Sequence, residues 1–485
     1  MQTALVLDLD DSLARTDLLW EQLVWLVVRR PWLIFLAPTW LLRGKANLKK
    51  KLADLSPIEV DSIPLNEGVV ALARKAHSEG REIWLASASE ERWVKAMAQR
   101  LAALLGTRSD QDVRWLGTTS TNNLKGPNKL RALEHALQGR AFEYVGDSWS
   151  DLEIWKGASK AWVVEPSLAL WRRVQSTARP SEPIGTVGQK PVFSVLLRQL
   201  RIHQWSKNGL IFFAPLAGHT LFQQSVMLSG LQAFIAFSAL ASLVYLVNDL
   251  VDLRADRLHP SKRRRPLASG QLSVKWALLG APILAVVVVL ASVGLSTEAQ
   301  IWLVIYVLAN LVYNWKAKSI PILDVIFLAS FYTTRMVFGA AAAATPLSEW
   351  ILSFSTFFFF SLALAKRYTE LLKAGETTRR YGRGYQRTDT PVVLALGVGS
   401  ALLSILVLML YFSSPKVQQL YAVPSRLWLV LPLQLYWFGK LWITASRGEL
   451  NDDPVIYALK DRASWGVAIL SALVGLSAMG WVDAL

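Results

Sequence analysis

The stretch Asn248-Asp249-Leu-Val-Asp252-Leu-Arg-Ala-Asp256-Arg-Leu-His259-Pro-Ser-Lys262-Arg-Arg-Arg265-Pro-Leu-Ala-Ser-Gly270 follows a long apolar run. Asn248, Asp252 and Asp256 recur every four residues, so a helix would place them on one face. Acidic residues in an apolar helix are costly and usually functional. Carboxylates beside Lys and Arg can bind magnesium diphosphate, because the carboxylates hold the metal and the cations hold the remaining phosphate charge. The alternative explanation is structural: these polar residues would form the solvent-exposed end of a helix.

Long apolar runs surround this stretch and begin only after about residue 208. The first 170 residues instead mix charged and apolar positions, as a soluble domain does. We therefore expect an N-terminal soluble part and an all-α polytopic membrane domain over residues 195–485. Nine candidate membrane helices lie near residues 208–223, 227–249, 275–295, 299–315, 321–343, 349–366, 390–411, 425–446 and 463–482.

The charge distribution predicts a membrane orientation rather than nucleic-acid binding. The net charge is +16, and the basic residues cluster in alternate loops between apolar segments, as the positive-inside rule describes. No basic leader precedes the first strand-like run, so no signal peptide is predicted. We expect a multi-pass protein of the cell (inner) membrane, with its N-terminus and soluble domain in the cytoplasm and its C-terminus on the opposite side.

The absence of cysteine limits the chemistry of the chain. Zero Cys excludes disulfides and thiolate catalysis, and the five scattered His residues show no zinc-ligand spacing. Any metal should therefore be a hard cation bound by oxygen, and Mg²⁺ is the cofactor we expect in each domain.

The N-terminal region reads as an α/β domain over residues 1–175. Ala4–Leu7, Glu82–Leu85 and Phe142–Val145 are short apolar runs, each followed by polar turn residues and a helical pattern. A helical insertion over about residues 13–80 is expected to form a cap on the site or at the membrane surface. Residues 176–194 are rich in Pro, Gly and small residues and are predicted to be a linker.

Polar residues at the ends of these elements suit phosphoryl transfer to a carboxylate. That reaction needs a nucleophile, an acid/base, a cation for the phosphate and carboxylates for Mg²⁺. Each residue alone has a structural explanation, such as a cap or a solvated side chain. The candidates in chain order are Asp8, Asp10, Ser87, Lys129, Asp147 and Asp151.

Together these segments resemble the four motifs of the haloacid dehalogenase (HAD) superfamily over about residues 3–165. The resemblance implies a Rossmann-like α/β fold with a C1-type cap, in which Asp8 is the nucleophile and Asp10 the acid/base. Ser87 and Lys129 would bind the phosphoryl group. Asp8, Asp10, Asp147 and Asp151 would surround Mg²⁺. An Asp at position 10 favours a phosphatase over a dehalogenase, because the leaving group must be protonated.

The stretch 248–270 resembles the first aspartate-rich motif of the UbiA superfamily, and the resemblance extends from about residue 195 to the C-terminus. It implies that Asp249, Asp252 and Asp256 hold Mg²⁺, with Asp249 and Asp252 in catalytic positions. Residues expected to bind substrate are Lys207, Asn208, Asn248, Lys262, Arg265, Lys318, Asp324, Lys366 and Arg367. Asp324 is a candidate for metal or ribose.

The remaining motifs resemble the decaprenyl-phosphate phosphoribosyltransferase branch of that superfamily. The stretches are Arg201-Ile-His-Gln-Trp205-Ser-Lys207-Asn208, Tyr313-Asn-Trp-Lys-Ala-Lys318 and Lys366-Arg367-Tyr-Thr-Glu370. Aromatic prenyltransferases carry a second aspartate-rich motif, whereas the corresponding loop here offers Lys366, Arg367, Arg379 and Arg380. Basic loops fit phosphoribosyl diphosphate plus a polyprenyl phosphate, although positive-inside topology also explains them.

The fusion suggests consecutive reactions: transfer of 5-phosphoribose to a polyprenyl phosphate, then removal of the 5-phosphate by the HAD domain. One alternative is a prenyltransferase that uses a prenyl diphosphate donor and a small acceptor, with an unrelated phosphatase. Another is a noncatalytic membrane assembly protein whose HAD module only binds a ligand.

Overall fold

The computed structural model describes residues 3–107, 113–119, 124–178, 180–188, 192–373, 384–450 and 454–480. The chain forms two compact units. The first comprises Met1–Ile202 with Tyr245–Ala285, and the second comprises His203–Val244 with Val286–Leu485.

A six-stranded parallel sheet forms the centre of the N-terminal region, with strand order β3-β2-β1-β4-β5-β6. The strands are β1 (Ala4–Leu7), β2 (Ile83–Glu90), β3 (Val113–Thr118), β4 (Phe142–Gly146), β5 (Lys160–Val164) and β6 (Ser181–Ile184). All four residues of β1 are buried, as a central parallel strand covered on both faces requires. The predicted α/β fold is therefore confirmed.

In the part of the chain that the structure describes, nine α-helices accompany this sheet: α1 (Leu18–Arg29), α2 (Ala37–Leu42), α3 (Lys45–Leu55), α4 (Glu67–Ser78), α5 (Glu91–Leu105), α6 (Pro127–Ala136), α7 (Leu152–Gly157), α8 (Leu168–Thr177) and α9 (Val192–Gln199). The predicted helical insertion contains α1–α3, and Ala14 and Leu65 form an antiparallel bridge at its base. Val69 and Ala73 of α4 belong to the core with Leu5 and Leu85 of the sheet. The insertion therefore ends near Leu65, earlier than the predicted boundary at residue 80.

Strand β6 corrects the predicted linker over residues 176–194. Its residues pair with β5, from Ala161 opposite Ser181 to Val164 opposite Ile184. The edge of β5 offers unpaired backbone groups, which a further strand satisfies. Pro183 is compatible with β6 because β6 is an edge strand.

After α9, the long elements of the described residues are helices: α10 (Phe213–Ala217), α11 (Gln224–Val251), α12 (Leu253–Leu258), α13 (Val274–Ser292), α14 (Thr297–Trp315), α15 (Leu323–Ala342), α16 (Glu349–Lys373), α17 (Thr390–Phe412), α18 (Pro415–Leu420), α19 (Val430–Ser446), α20 (Pro454–Lys460) and α21 (Arg462–Ala478). A 3₁₀ helix, Ile202–Phe212, precedes α10. Within the second unit, Gly339 of α15 lies against this 3₁₀ helix, and a Cβ at Gly339 would lie 2.0 Å from the Ile211 carbonyl oxygen.

Among the described residues, five helical segments are long and apolar enough to cross a membrane: Gln224–Val251, Val274–Ser292, Leu323–Ala342, Glu349–Lys373 and Arg387–Phe412. The predicted number of nine is not confirmed. The first candidate, residues 208–223, is divided between the 3₁₀ helix and the short α10. The last two candidates form α19 and α21, which have only 17 residues each.

Candidate active sites

Three carboxylates meet at the carboxyl ends of β1 and β4. Asp8 follows β1, Asp147 follows β4, and Asp151 ends the short helical turn after it. One oxygen of each carboxylate lies within 4.8 Å of the others. β1 and β4 are neighbouring parallel strands, so their following residues share one edge of the sheet. This group, predicted from sequence, can hold a divalent cation.

Lys129 joins two of these carboxylates. Its Nζ lies 2.9 Å from Asp8 Oδ1 and 3.7 Å from Asp151 Oδ1, and it donates to the Tyr144 hydroxyl at 2.9 Å. Tyr144 in turn donates to Asp151 at 3.0 Å. Sequence reasoning missed Tyr144, because a tyrosine in a central strand reads as a core residue.

The Asp10 side chain lies outside the three-carboxylate group. Its Oδ1 accepts the backbone N–H of Leu18 at 2.9 Å, and its Oδ2 accepts the hydroxyls of Ser87 and Ser89, both at 2.7 Å. Ser87 was predicted and Ser89 was missed. Both Asp10 oxygens therefore bind protein donors, and the Asp10 side chain does not join the carboxylates with which it was predicted to hold a metal.

The carboxylate site carries more negative than positive charge. Burial, together with repulsion from Asp151 and Asp10 and against the opposing effect of Lys129, raises the pKa of Asp8 to about 7. Burial, followed by repulsion from Asp151 and Asp8, also raises the pKa of Asp147 well above its usual value. Burial disfavours the charged form of Lys129, but Asp8 and Asp151 outweigh that cost and raise its pKa. A bound divalent cation would offset this excess.

A second acidic group lies at the junction of α11 and α12. The Arg265 Nη1 binds Asp249 Oδ1 at 3.0 Å and Asp256 Oδ2 at 2.5 Å. Asp249 also accepts hydrogen bonds from Gln199 at 2.8 Å and Arg201 at 2.6 Å. Sequence reasoning did not select either, although the Arg201 motif was noticed.

The helix is distorted at Asp252, but the predicted four-residue spacing is kept. Although α11 ends at Val251 and α12 begins at Leu253, the Asp252 N–H binds the Asn248 carbonyl oxygen at 2.9 Å and the Asp256 N–H binds the Asp252 carbonyl oxygen at 2.8 Å. Arg265 joins Asp249 with Asp256. Asn248 remains beside Asp249 near the end of α11.

This acidic group also has oxygens available to a metal. The Asp256 Oδ1 is buried and makes no hydrogen bond within the described chain, and Lys262 Nζ lies 3.7 Å from it. The structure records no side-chain partner for Asp252 among the residues it describes. Burial raises the pKa of Asp256, with Arg265 and Lys262 opposing. These carboxylate oxygens can bind a hard cation such as Mg²⁺. The neighbouring Arg265 and Lys262 can contact an anion that is bound to the same cation.

The second unit contains a buried charge group at the start of α15. Arg367 is 1% exposed and binds Asp324 and Glu370, while the Tyr385 hydroxyl donates to the other Asp324 oxygen at 2.7 Å. Both oxygens of Asp324 are therefore engaged by protein groups. Lys318 lies half-buried before α15, and Lys366 lies half-buried beside Arg367.

Asn208 belongs to another polar group of the second unit. Its amide donates to Ser238 at 2.9 Å and accepts from Arg335 Nε at 2.9 Å. Arg335 is 4% exposed and lies within α15. Sequence reasoning missed it, although a charged residue in an apolar helix is itself a functional signal.

Lys207 lines a cavity of about 470 Å³ whose other walls are mainly apolar and aromatic. Its Nζ lies 5.6 Å from the centre of the Tyr332 ring. Phe358, Phe359 and Trp437 contribute to the walls. The cavity can hold an apolar chain whose charged end meets Lys207. Arg379 and Arg380, the other basic residues noted in the loop after Arg367, lie outside the described residues.

Comparisons with known families match both parts of the chain. Residues 210–453 match the model of the UbiA prenyltransferase family, and residues 5–156 match that of haloacid dehalogenase-like hydrolases.

Three relatives illustrate these matches. The uncharacterized protein y4nM of Sinorhizobium fredii is 33% identical over 480 residues, covering 98% of this chain and 91% of that protein. Nodulation protein NoeC of Azorhizobium caulinodans is 34% identical over 295 residues, covering 59% and 92%. Decaprenyl-phosphate phosphoribosyltransferase of Mycolicibacterium smegmatis is 30% identical over 281 residues, covering 56% and 88%. This chain therefore belongs to the UbiA prenyltransferase family and carries a domain of the haloacid dehalogenase-like hydrolase family in its N-terminal part.

Proposed function

We propose that this protein transfers 5-phosphoribose from phosphoribosyl diphosphate to a polyprenyl phosphate, and that its HAD domain removes the 5-phosphate of the product. The observation that carries the proposal is the similarity to decaprenyl-phosphate phosphoribosyltransferase, which covers 88% of that relative. The adjoining hydrolase domain supports the second step.

In the transfer step, an oxygen of the lipid phosphate attacks the anomeric carbon of the donor. The new C–O bond forms as the bond from that carbon to the diphosphate breaks, and the diphosphate leaves. Mg²⁺ held by Asp249, Asp252 and Asp256 would neutralise charge on the diphosphate. Arg265 lies against two of these carboxylates, and its guanidinium would contact phosphate oxygens of a donor bound there with Mg²⁺.

Basic residues of the second unit support substrates rich in phosphate. Asp324 and Glu370 hold the guanidinium of Arg367, which fixes its position. We assign Arg367 and Lys366, with Lys318, to phosphate groups of the substrates. In this arrangement Asp324 orients Arg367. We assign Asp324 to this role before the predicted role of binding metal or ribose.

The aromatic cavity beside Lys207 suits a polyprenyl phosphate. Its apolar walls match an isoprenoid chain, and the ammonium group of Lys207 matches a phosphate at the chain's end. Asn208, fixed by Ser238 and Arg335, would orient the same end.

In the phosphatase step, Asp8 attacks the phosphorus of the 5-phosphate and the bond to the sugar oxygen breaks. Asp10, held by Leu18, Ser87 and Ser89, gives its proton to that oxygen. Water then hydrolyses the aspartyl-phosphate, with Asp10 accepting a proton. Ser87 and Lys129 would hold the phosphoryl group. Mg²⁺ at Asp8, Asp147 and Asp151 would lower the repulsion between carboxylate and phosphate.

Exposed apolar side chains on the insertion support a membrane-facing cap. Phe35 is 80% exposed, Leu42 is 88% exposed and Trp32 is 65% exposed, and basic residues Arg30 and Arg43 flank them. We assign the HAD domain and N-terminus to the cytoplasmic face of the inner membrane and the C-terminus to the opposite face. A lipid-linked product would then remain close to the phosphatase.

The test incubates detergent-purified protein with Mg²⁺, polyprenyl phosphate and radiolabelled phosphoribosyl diphosphate. Wild type is compared with Asp8→Asn, and with Asp61→Asn as an exposed control, by chromatography of the lipids. We expect label in the lipid for all three, with the 5-phosphorylated product accumulating only in Asp8→Asn.

Two other outcomes favour the alternatives. Unlabelled lipid together with acceptance of a prenyl diphosphate would indicate a prenyltransferase proper. Inactivity with both donors, together with full cellular function of Asp8→Asn, would indicate a noncatalytic assembly protein.

A further inference from the structure

A buried ion pair connects the insertion of the HAD domain with the aspartate-rich segment. Arg257 of α12 binds both carboxylate oxygens of Glu21 on α1, at 3.1 and 2.5 Å. The two side chains are only 5% and 9% exposed. Thr16 donates a further hydrogen bond to Glu21 at 2.7 Å. A bidentate pair at this burial fixes both position and orientation.

Apolar and backbone contacts surround the pair. Val24 of α1 belongs to one core cluster with Leu246, Leu250 and Leu253 at the α11–α12 junction. Gly270 lies so close to the backbone of Arg15 that an added Cβ would be 2.4 Å from the Arg15 carbonyl oxygen. The ion pair is therefore part of a packed contact between the two segments.

Each partner of the pair is close in sequence to a group with a chemical role. Glu21 lies on the first turn of α1, whose Leu18 N–H binds Asp10. Arg257 directly follows Asp256, which shares Arg265 with Asp249. One helical turn and one ion pair thus connect the phosphatase acid/base with the transferase acidic group.

We propose that Glu21 is a positioning residue of the transferase: through Arg257 it fixes α12, so the insertion of the phosphatase domain forms part of the support of the diphosphate site. This proposal rests on the proposed function in one respect only: it takes Asp249 and Asp256 as part of the diphosphate-binding site. Loss of the Glu21 charge leaves the buried guanidinium of Arg257 without its counter-ion, and α12 must shift to hydrate it.

An exposed ion pair between the same segments supplies the matched control. Arg254, one turn before Arg257 on α12, pairs with Glu59 of the insertion, and the two side chains are 64% and 49% exposed. An exposed pair contributes little, so Glu59→Gln should leave α12 in place.

The first experiment measures transfer in the full-length protein. Glu21→Gln should raise the KM for the diphosphate donor by about tenfold, with hydrolysis of p-nitrophenyl phosphate by the HAD domain unchanged. Glu59→Gln should change neither. The exchanged pair Glu21→Arg with Arg257→Glu should recover most of the lost affinity, and its failure to do so while folded would contradict a positioning role.

The second experiment does not require turnover. Amide hydrogen exchange over residues 253–258 is measured with and without Mg²⁺ and inorganic diphosphate. We expect faster exchange in Glu21→Gln but not in Glu59→Gln, and about tenfold more diphosphate needed for protection. Unchanged exchange in Glu21→Gln overturns the inference. Faster exchange in Glu21→Gln without protection of wild type by diphosphate would sustain Glu21 as the support of α12 and reject the diphosphate site.

Discussion

The two acidic groups of this protein differ in the cations that accompany them. In the group of Asp8, Asp147 and Asp151, Lys129 is bound to Asp8 and Asp151, and Asp147 accepts a hydrogen bond from Ser12 at 3.2 Å. In the aspartate-rich segment, Arg201 and Arg265 bind Asp249, and Arg265 and Lys262 lie against Asp256.

The difference agrees with the substrates that the proposed function assigns to the two sites. A phosphatase brings a phosphate dianion to a carboxylate nucleophile, so it needs additional positive charge before the substrate can bind. A diphosphate donor arrives as a metal complex, so cations beside the carboxylates are ready to contact it. We infer that the phosphatase site depends more strongly on free Mg²⁺ for its stability.

The largest expected effect is the loss of hydrolysis while the transfer activity is retained. Asp8→Asn should reduce hydrolysis of p-nitrophenyl phosphate by at least about 10³-fold, because the nucleophile is lost. Transfer of label to lipid should continue at the wild-type rate. Residual hydrolysis above a tenth of wild type would exclude Asp8 as the nucleophile.

The reciprocal change tests the aspartate-rich group. Asp256→Asn should reduce lipid labelling by about 10²-fold, because Asp256 supplies a charge to the metal and to Arg265. Hydrolysis of p-nitrophenyl phosphate should be retained. Glu298→Gln, at an exposed position in the first turn of α14, is the control and should retain both activities.

Thermal unfolding tests whether the group of Asp8, Asp147 and Asp151 carries an excess of negative charge. The folded-state pKa values of Asp8 and Asp147 are raised, so between pH 4 and about 7 the folded protein binds more protons than the unfolded chain. The free energy of unfolding of the metal-free protein should therefore fall as pH rises through this range, lowering Tm by about 5 °C.

Magnesium should reverse that loss, with a larger increase of Tm at pH 8 than at pH 5. Asp147→Asn should raise the Tm of the metal-free protein and abolish most of the increase caused by Mg²⁺. An equal Mg²⁺ effect in wild type and Asp147→Asn would count against the assignment of the cation to this group.

The smallest expected effect concerns access of the phosphatase to lipid. Phe35→Glu should reduce hydrolysis of the phosphoribosyl lipid in vesicles by about fivefold, because a charge in place of an exposed aromatic ring weakens membrane contact. Hydrolysis of p-nitrophenyl phosphate should not change. Phe35→Leu serves as the apolar control, and equal losses in both variants would argue against the membrane-facing cap.

The sequence predicted the parts of the sites that lie in contiguous motifs. Asp8 and Asp10 follow a strand, and Asp249 to Asp256 end an apolar run, so local pattern and residue chemistry were sufficient to select them. Glu21 and Arg335 were missed because Arg257 and Asn208, which they contact, are distant in sequence. Tyr144 was missed because a tyrosine in a central strand reads as a core residue. The predicted linker was wrong at β6, since only the open edge of β5 makes a strand of Ser181–Ile184.

By itself, the sequence determined the two families and the order of their regions, and it selected the acidic residues proposed for both sites, because spacing along one strand or helix is a local property. Only the tertiary structure decided which charges meet. Arg265 joins Asp249 with Asp256, and Arg257 of α12 binds Glu21 of α1, which lies 236 residues earlier in the chain. Such pairs depend on where packed elements bring side chains together, and no local pattern specifies that.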